Sequence, residues 1–312
     1  MAGSMLLYGT IAIDTLITPR GRAHSVLGGS GIYAALAARL LTSDMTLTGM
    51  VGDDFPREYL MAMETRGVSM QYVEQVPGEK TFAWTGQYEE DMNLRHTVRT
   101  EEGVQARHAL VLPPELRHCR LAAATNVTPP LQCNMLEQCE DNPFVMSDFM
   151  QSWILREPEY TRKLLRMSDL ALMNDEEART FAHTDDSLEA GYCLLASGPR
   201  YVIVKHGSAG STLFHRCPAG DVRLFRCPSW PLPHPEDPTG AGDAYMGALA
   251  GYLTGRLQEG SPTWEDLTRG MAIATVVAGA VCERFGTVSL FGLTRHKLAQ
   301  RISAFHEMTR WE

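Results

Sequence analysis

The chain contains the stretch DPTGAGD at residues 237–243, and an apolar helical stretch follows it directly over residues 244–253. This pattern predicts a glycine-containing loop at the N-terminal end of a buried helix. Small residues let backbone N–H groups approach a ligand, and the unpaired amides together with the helix dipole favour an anion. Asp243 would lie beside that anion, where a carboxylate can take a proton from an attacking hydroxyl. The same residues also fit an ordinary turn and helix cap.

Strands and helices alternate along the rest of the chain. Ile32, Leu36 and Leu40 recur at helical spacing, and a second helix is expected between Pro56 and Gly67. Alternation of this kind predicts an α/β fold with a doubly wound, mainly parallel sheet flanked by helices. The expected strands of this sheet are residues 5–13, 45–51, 121–127, 144–147, 170–173 and 201–205.

Residues 81–99 interrupt this alternation, because part of the stretch alternates at period two around the acidic cluster at residues 89–91. The pattern predicts hairpin strands that project from the main sheet. An ordinary edge hairpin and a functional lid explain this pattern equally well.

Composition excludes several classes of protein. With 312 residues, 44% of them hydrophobic, the chain can bury a large core, so disorder of its bulk is excluded. Its net charge of −9 repels polyanions, which argues against nucleic acid and anionic membranes as partners. The longest apolar run, residues 271–282, is shorter than the ~20 residues that a membrane span needs. Seven scattered cysteines predict reduced thiols and a cytoplasmic location.

Three further motifs accompany the DPTGAGD stretch: Gly28-Gly29, NDEE at residues 174–177 and KHGSAG at residues 205–210. In this order and spacing, the four motifs resemble those of the ribokinase-like PfkB carbohydrate kinases, over residues 6–305. The absence of a GxxxxGK[ST] string agrees with this resemblance, because the family does not use a Walker loop. The resemblance implies one ribokinase-like kinase domain over residues 1–312. It also implies a small β lid, formed by roughly residues 15–27 and 78–100, through which a homodimer can form.

The resemblance assigns roles to the residues that would act on ATP. Gly240, Ala241 and Gly242 would form an anion hole for the γ-phosphoryl group, and Asp243 would be the general base. Asn174 and Glu177 match the family's Asn-x-x-Glu, which helps to position Mg²⁺, largely through water. We group six residues as nucleotide-binding and leave the chemical role of the lysine among them open: Asn174, Lys205, Gly207, Gly210, Thr239 and Gly286.

On the substrate side, the resemblance implies that Asp14 holds substrate hydroxyls and that the backbone of Gly28 and Gly29 contacts the substrate. Two positions depart from the family, because Ala12 and Tyr33 stand where sugar-binding asparagines are usual. Tyr33 could stack on a ring, face a nucleobase or cyclitol, or fill space. These departures put the usual hexose and ribose substrates in doubt.

The expected function is therefore that of an ATP-dependent, Mg²⁺-requiring kinase acting on a hydroxyl of a small carbohydrate or carbohydrate-like substrate, such as a sugar, a cyclitol or a nucleoside. A nucleoside kinase of the same fold is one alternative, and the missing amides motivate it. A catalytically silent sensor of a sugar or nucleotide is another. A Rossmann dehydrogenase is excluded, because no GxGxxG motif follows the first strand.

Overall fold

A computed structural model describes residues 4–92, 94–106, 108–217 and 219–310. Its strands are β1 (Met5–Tyr8), β2 (Ala12–Thr18), β3 (Gly21–Gly28), β4 (Met45–Val51), β5 (Tyr72–Gln75), β6 (Phe82–Tyr88), β7 (Arg95–Glu101), β8 (Leu121–Ala124), β9 (Phe144–Asp148), β10 (Leu170–Asn174), β11 (Tyr201–Lys205), β12 (Ser211–Arg216) and β13 (Val222–Cys227). Its α-helices are α1 (Ser30–Arg39), α2 (Arg57–Thr65), α3 (Pro129–Glu137), α4 (Gln151–Arg156), α5 (Pro158–Met167), α6 (Asp175–Ala182), α7 (Ser187–Ala196), α8 (Ala241–Leu253), α9 (Trp264–Val281), α10 (Val288–Gly292) and α11 (Arg295–Thr309).

The main sheet has the strand order β13-β12-β11-β10-β9-β8-β1-β4-β5. Its strands from β11 to β5 pair in parallel, and β12 and β13 add an antiparallel edge. Successive residues of a strand point to opposite faces, so Met5 and Leu7 join one hydrophobic core while Leu6 and Tyr8 join the other. A sheet buried on both faces needs continuous apolar strands, and the predicted doubly wound α/β fold is confirmed.

The predicted strand over residues 5–13 is wrong in its extent, because two strands occupy this stretch. β1 ends at Tyr8, and β2 starts at Ala12 in a second sheet. Gly9 lies at the break, where a Cβ would come within 1.9 Å of Thr125 Oγ1. The close approach requires glycine and lets the chain leave the main sheet. Asp14 is therefore the third residue of β2 and does not end the first strand.

The small sheet has four strands in the order β3-β2-β6-β7. The β6–β7 hairpin lies within the stretch that interrupts the α/β alternation in the sequence. All residues of β7 are exposed, but Tyr88 and Met92 at the tip of the hairpin are buried. The small sheet therefore contacts the rest of the protein through the hairpin tip and through β2 and β3, where Leu16 and Leu27 are buried and Thr18 donates to the carbonyl of Glu236. Its edge strand β7 is left exposed.

Helices α1 and α8 pack closely on one face of the main sheet. A Cβ on Gly247 would lie 2.1 Å from the carbonyl oxygen of Ala34, and one on Gly251 would lie 2.8 Å from that of Ala38. The two helices therefore touch backbone to backbone. Their N-terminal ends, at Gly29 and Gly240, carry the two glycine motifs of the sequence.

None of the described helices is long and apolar enough to cross a membrane. The seven cysteines are free of disulfide bonds in the described residues.

Candidate active site

The loop before α8 is held by a buried carboxylate. Asp237 accepts a hydrogen bond from the Thr239 amide on Oδ1 (3.0 Å) and one from the Gly286 amide on Oδ2 (2.8 Å). Gly240 has a φ of 76°, and a Cβ there would lie 2.3 Å from the ring of Tyr33. Glycine is required on both counts, and the loop conformation is fixed by the chain itself. Sequence reasoning gave Asp237 no role, although it is the first residue of the motif.

The helix end at this loop has amides available to an anion. Among the predicted anion-hole residues, Ala241 donates its N–H to the Pro238 carbonyl at 3.2 Å. The amides of Gly240 and Gly242 donate to no acceptor in the described part of the chain. Ala241 and Gly242 line a cavity of about 490 Å³. An anion in this cavity would meet the positive end of a 13-residue helix.

Asp243 lies in the first turn of α8 and is partly buried. Burial and the charge of Asp148 raise the pKa of Asp243 to about 6, although the cations Lys205 and Arg95 act in the opposite direction. At neutral pH this carboxylate is mostly ionised, and its pKa is close to the value at which a general base works best.

Lys205 forms an ion pair beside the anion-binding amides. Its Nζ lies 2.7 Å from Oδ1 of Asp148, and a Cβ built on Gly242 would lie 3.2 Å from the same Nζ. Burial alone would lower the pKa of Lys205, but the carboxylates of Asp148 and Glu177 raise it above its usual value. The ammonium group therefore stays charged where a phosphoryl group would bind. Sequence reasoning missed Asp148. It could have been recognised as a candidate site residue, because it directly follows the predicted strand at residues 144–147.

Asn174 and Glu177 form a capping box at the start of α6. The Asn174 Oδ1 accepts from the Glu177 amide at 2.8 Å, and the Glu177 Oε2 accepts from the Asn174 amide at 2.7 Å. Burial raises the pKa of Glu177 to about 7, with Lys205 lowering it and Asp148 raising it. In the described ranges no three acidic, histidine or cysteine side chains form a metal cage. This oxygen donor set fits Mg²⁺ held through water and phosphate oxygens, and Asn174 and Glu177 would be the residues that position it.

The cavity beside α8 also contains several of the predicted nucleotide-binding residues. Gly207, Gly210 and Lys205 line it, and the two glycines have φ values of 56° and 93°. Asn174, Thr239 and Gly286 are not among its lining residues. Gly286 instead lies near the Tyr33 hydroxyl, which would be 3.8 Å from a Cβ at that position.

The far side of this cavity is formed by α9 and the proline-rich loop at residues 228–238. Trp230 packs against Gly279, where a Cβ would lie 2.6 Å from the Cβ of the tryptophan. Thr275, Ala278 and Cys282 continue this wall along α9. Sequence reasoning did not single out Trp230, although a tryptophan in a proline-rich loop is a signal for a binding surface. The wall is mainly apolar, which suits a flat aromatic ring.

Asp14 of β2 lies beside the pair Gly28-Gly29, which precedes the N-terminal end of α1. Asp14 is 4% exposed, and its Oδ2 accepts from the Gly29 amide at 3.2 Å. Its Oδ1 has no partner among the described residues. Burial raises the pKa of Asp14 to about 7, and the charge of Asp243 adds to this rise. A Cβ on Gly28 would lie 2.0 Å from Asp14 Oδ2, so the glycine makes room for the carboxylate.

Two further polar atoms near the start of α1 lack partners in the described chain: the Tyr33 hydroxyl and Oδ1 of Asn126. Burial raises the pKa of Tyr33 well above its usual value, so its hydroxyl stays protonated. Asn126 is held in place, because its carbonyl oxygen accepts from Thr10 Oγ1 (2.7 Å) and Ser30 Oγ (2.8 Å). Its side-chain amide lies 3.1 Å from the sulfur of Met150. Sequence reasoning missed Asn126, which lies two residues after the end of β8.

The tip of the small sheet reaches the same region. Thr239 Oγ1 donates to the Tyr88 hydroxyl at 3.0 Å, which joins the β6–β7 hairpin to the anion-binding loop. Arg95 pairs with Tyr88 across the hairpin and lies 5.3 Å over the ring of Trp84. Loss of water around the guanidinium lowers the pKa of Arg95, but Tyr88, Glu177 and Asp243 raise it by more. Sequence reasoning described this hairpin without noticing its arginine.

The fold and the site together define a class of enzyme. A doubly wound sheet whose carboxyl ends face an anion-binding helix end and a carboxylate is typical of enzymes that transfer phosphoryl groups. The family model for the pfkB family of carbohydrate kinases matches residues 8–291. The chain belongs to this family and is a phosphotransferase that uses a hydroxyl group as acceptor.

Individual relatives include nucleoside and sugar kinases. The chain is 29% identical to a cytidine kinase of Thermococcus kodakarensis over 259 residues, which covers 81% of this chain and 89% of that protein. Its fold is similar to that of a Burkholderia thailandensis nucleoside kinase in complex with inosine (TM-score 0.78, 21% identity, 98% of each chain covered). It is also similar to that of Arabidopsis thaliana ribokinase complexed with ribose and ATP (TM-score 0.74, 18% identity, 97% and 99% covered).

Proposed function

We propose that this protein is an ATP-dependent, Mg²⁺-requiring nucleoside kinase, in which Asp14 binds hydroxyls of the ribose and Asp243 is the general base. The observation that carries the proposal is the pair of carboxylates at the two helix ends. Asp14 has a buried oxygen without a protein partner, and its pKa is raised by burial and by the charge of Asp243. The two helix ends are adjacent, because a Cβ on Gly240 before α8 would lie 2.3 Å from the ring of Tyr33 in α1. A substrate held by Asp14 would present another hydroxyl to Asp243.

In the proposed step, Asp243 takes the proton from the acceptor hydroxyl as its oxygen attacks the γ-phosphorus. A new O–P bond forms, the bond from the γ-phosphorus to the bridging oxygen breaks, and ADP leaves with that electron pair. Little covalent chemistry is asked of the protein, so positioning and charge stabilisation supply most of the rate.

Three groups of this chain would stabilise the charge on the transferring phosphoryl group. The free amides of Gly240 and Gly242 act at the helix end, and the ammonium of Lys205 lies beside them. Arg95 would add a second cation from the small sheet. Bound Mg²⁺ would supply further positive charge at the phosphate oxygens, positioned through water by Asn174 and Glu177.

A nucleoside is the preferred acceptor for two reasons. The similarity to a cytidine kinase extends over 259 residues, and Ala12 and Tyr33 remove the amides that other family members use for sugars. In addition, the side-chain Oδ1 of Asn126 has no partner in the described chain and offers an acceptor for a further donor of the substrate, which an N–H group of a nucleobase can supply. A free pentose, hexose or cyclitol is the second candidate, because Asp14 suits any vicinal diol.

The small sheet is proposed to act as a lid and as a dimer contact. Its edge strand β7 is exposed along its whole length, with Val98 56% and the adjoining Leu94 50% exposed. An exposed strand edge can pair with that of a second copy. The mass in solution by light scattering at working concentration tests this, and a single monomeric mass would contradict it.

The function is tested by ADP release with Mg-ATP across a panel of nucleosides, free pentoses, hexoses and cyclitols. We expect a nucleoside to give the highest kcat/KM, and we expect Asp243→Ala to abolish its turnover. A free sugar as the best acceptor would select the second candidate. Binding of ATP and of one panel compound without turnover, unchanged in Asp243→Ala, would instead support a silent sensor.

A further inference from the structure

A second cavity of about 260 Å³ lies away from the active site, between the C-terminal ends of α1 and α2 and the N-terminal end of α11. Three arginines from these three places line it, together with Leu36, Leu40, Leu293 and Thr294. The arginines are Arg39, Arg66 and Arg295. Because α1 has 10 residues and rises ~1.5 Å per residue, the cavity is roughly 15 Å along the helix from Gly29.

None of the three guanidinium groups forms an ion pair with a described residue, although the chain has a net charge of −9. Their hydrogen bonds go to backbone carbonyls. Arg39 donates to Gly67 (2.9 Å) and Thr42 (3.4 Å), Arg66 to Leu290 (3.0 Å) and Leu293 (2.7 Å), and Arg295 to Arg39 (3.4 Å).

These contacts leave much of each guanidinium unused. Nη2 of Arg39, and Nε and Nη1 of both Arg66 and Arg295, donate to no acceptor within the described ranges. Arg39 and Arg66 are half-buried, whereas Arg295 is exposed at the mouth of the cavity. Donors of half-buried side chains normally have acceptors. The nearest carboxylate on α2, that of Glu64, is already bound to the amide of Met70 at 2.8 Å.

The positive charge at the start of α11 also indicates that an anion binds here. Its first three residues are Arg295, His296 and Lys297, and its first turn contains no acidic residue. Cations are unfavourable at a helix N-terminus, because the helix dipole is positive there. Of these three residues, Arg295 lines the cavity together with Arg39 and Arg66. A cation at a helix N-terminus beside two further arginines is best explained by an anion that binds between them.

We propose that this cavity binds a phosphate group, which Arg39, Arg66 and Arg295 hold between α1, α2 and α11. The group is inorganic phosphate or the phosphate of a small phosphomonoester, because both present the oxygens that arginine recognises in a bidentate manner. The site is separate from the proposed kinase site and does not depend on it.

The test measures phosphate binding by calorimetry at constant ionic strength, with the kinase site saturated by a non-hydrolysable ATP analogue and Mg²⁺. We expect one saturable phosphate site per chain to remain in the wild-type protein. Arg295→Gln should weaken it at least tenfold, because that side chain makes one long contact and can be changed without disturbing the core. Arg301→Gln is the matched control, since it removes the same charge from the same helix but from an ion pair with Glu283.

A parallel titration with glycerol 2-phosphate distinguishes the two sources. Tighter binding of glycerol 2-phosphate identifies a phosphomonoester site, and tighter binding of inorganic phosphate identifies a site for the free ion. A flat isotherm for both anions would overturn the proposal, and so would equal affinity in the wild-type protein and Arg295→Gln. Phosphate should also raise the Tm of the wild-type protein by more than that of Arg295→Gln.

Discussion

The two ends of the active-site cleft differ in how completely the chain satisfies their polar groups. At the α8 end, Asp237, Lys205 and Glu177 each have protein partners at 3.0 Å or less. At the α1 end, Asp14, Tyr33 and Asn126 supply three of the five buried side-chain atoms that lack partners in the described chain. The side chains at the proposed phosphoryl-transfer end are therefore held by the protein, which leaves two backbone amides there for an anion. At the proposed acceptor end, side chains themselves have hydrogen bonds left for a ligand to complete.

From this difference we predict which substitutions affect the chemical step and which affect binding of the acceptor. Variants at the α8 end should lower kcat, and variants at the α1 end should raise KM for the acceptor. The five predictions below test that division, beginning with the largest expected effect.

Asp243→Asn should lower kcat by about 10³-fold, because a general base is typically worth 10²- to 10⁴-fold. Its Tm should not fall, since a carboxylate whose pKa is raised by burial destabilises the folded state at neutral pH. Steady-state ADP release and calorimetry measure the two quantities. A variant that keeps a tenth of its kcat would remove Asp243 from this role.

Lys205→Met should lower kcat by about 10²-fold and cost about 3 kcal/mol of stability, because it leaves the buried Asp148 without its partner. The double variant Lys205→Met/Asp148→Asn separates the two effects. It should recover most of the Tm and none of the kcat. If kcat recovers together with Tm, the lysine is structural only.

Asp14→Asn should raise the KM for the acceptor by about 10- to 100-fold, since a hydrogen bond to a charged group contributes roughly 1.5–3 kcal/mol. The KM for ATP should stay the same. Asp53→Asn is the matched control, because Asp53 also accepts from a glycine amide but lies in an exposed loop. If kcat falls while the KM for the acceptor stays the same, Asp14 acts in the chemical step and not in acceptor binding.

Acidification should act in opposite directions on activity and stability. The pKa values of Asp14 and Glu177 are raised to about 7 and that of Asp243 to about 6, so each of these groups binds a proton more readily in the folded state. Below pH 6, kcat/KM should fall tenfold per unit as the base is protonated. The stability that these groups contribute is fully present below pH 4, about their unfolded pKa, and is lost as pH rises through 6 to 7. Calorimetry of Asp14→Asn should show a shallower dependence of Tm on pH than the wild-type protein.

Arg95→Gln should lower kcat by about tenfold, because its guanidinium, although carried by the exposed strand β7, interacts with the carboxylates of Glu177 and Asp243 at the transfer end. Arg99→Gln, on the same strand and with its side chain 70% exposed, should have no effect on kcat. Equal effects of the two changes would show that the small sheet contributes nothing specific to the chemical step.

The sequence predicted the local structure of the loop and the start of α8, because these residues are contiguous and local geometry dictates their conformation. The DPTGAGD stretch needs a positive φ at Gly240, and the motif at residues 174–177 encodes its own capping box. The fold class followed from apolar strands that are buried on both faces.

Other residues could not be predicted, because they depend on contacts between distant segments. Asp148 and Lys205 are 57 residues apart and meet only when β9 and β11 end at the same edge of the sheet. Asn126 is recognisable only by its missing partner, which no sequence pattern reveals. The break between β1 and β2 depends on Thr125, more than 100 residues away, which closes the space around Gly9.

The backbone contact between α1 and α8 has a consequence for redesign of this protein. Gly29 and Asp243 sit at the starts of two helices that touch through Ala34 and Gly247, so the spacing between acceptor and base cannot be adjusted by repacking side chains. A bulkier or smaller acceptor must therefore be accommodated by the small sheet, whose edge strand β7 is exposed. Libraries aimed at new acceptors should randomise the β6–β7 hairpin and leave the helix pair, Asp14 and Gly28 untouched.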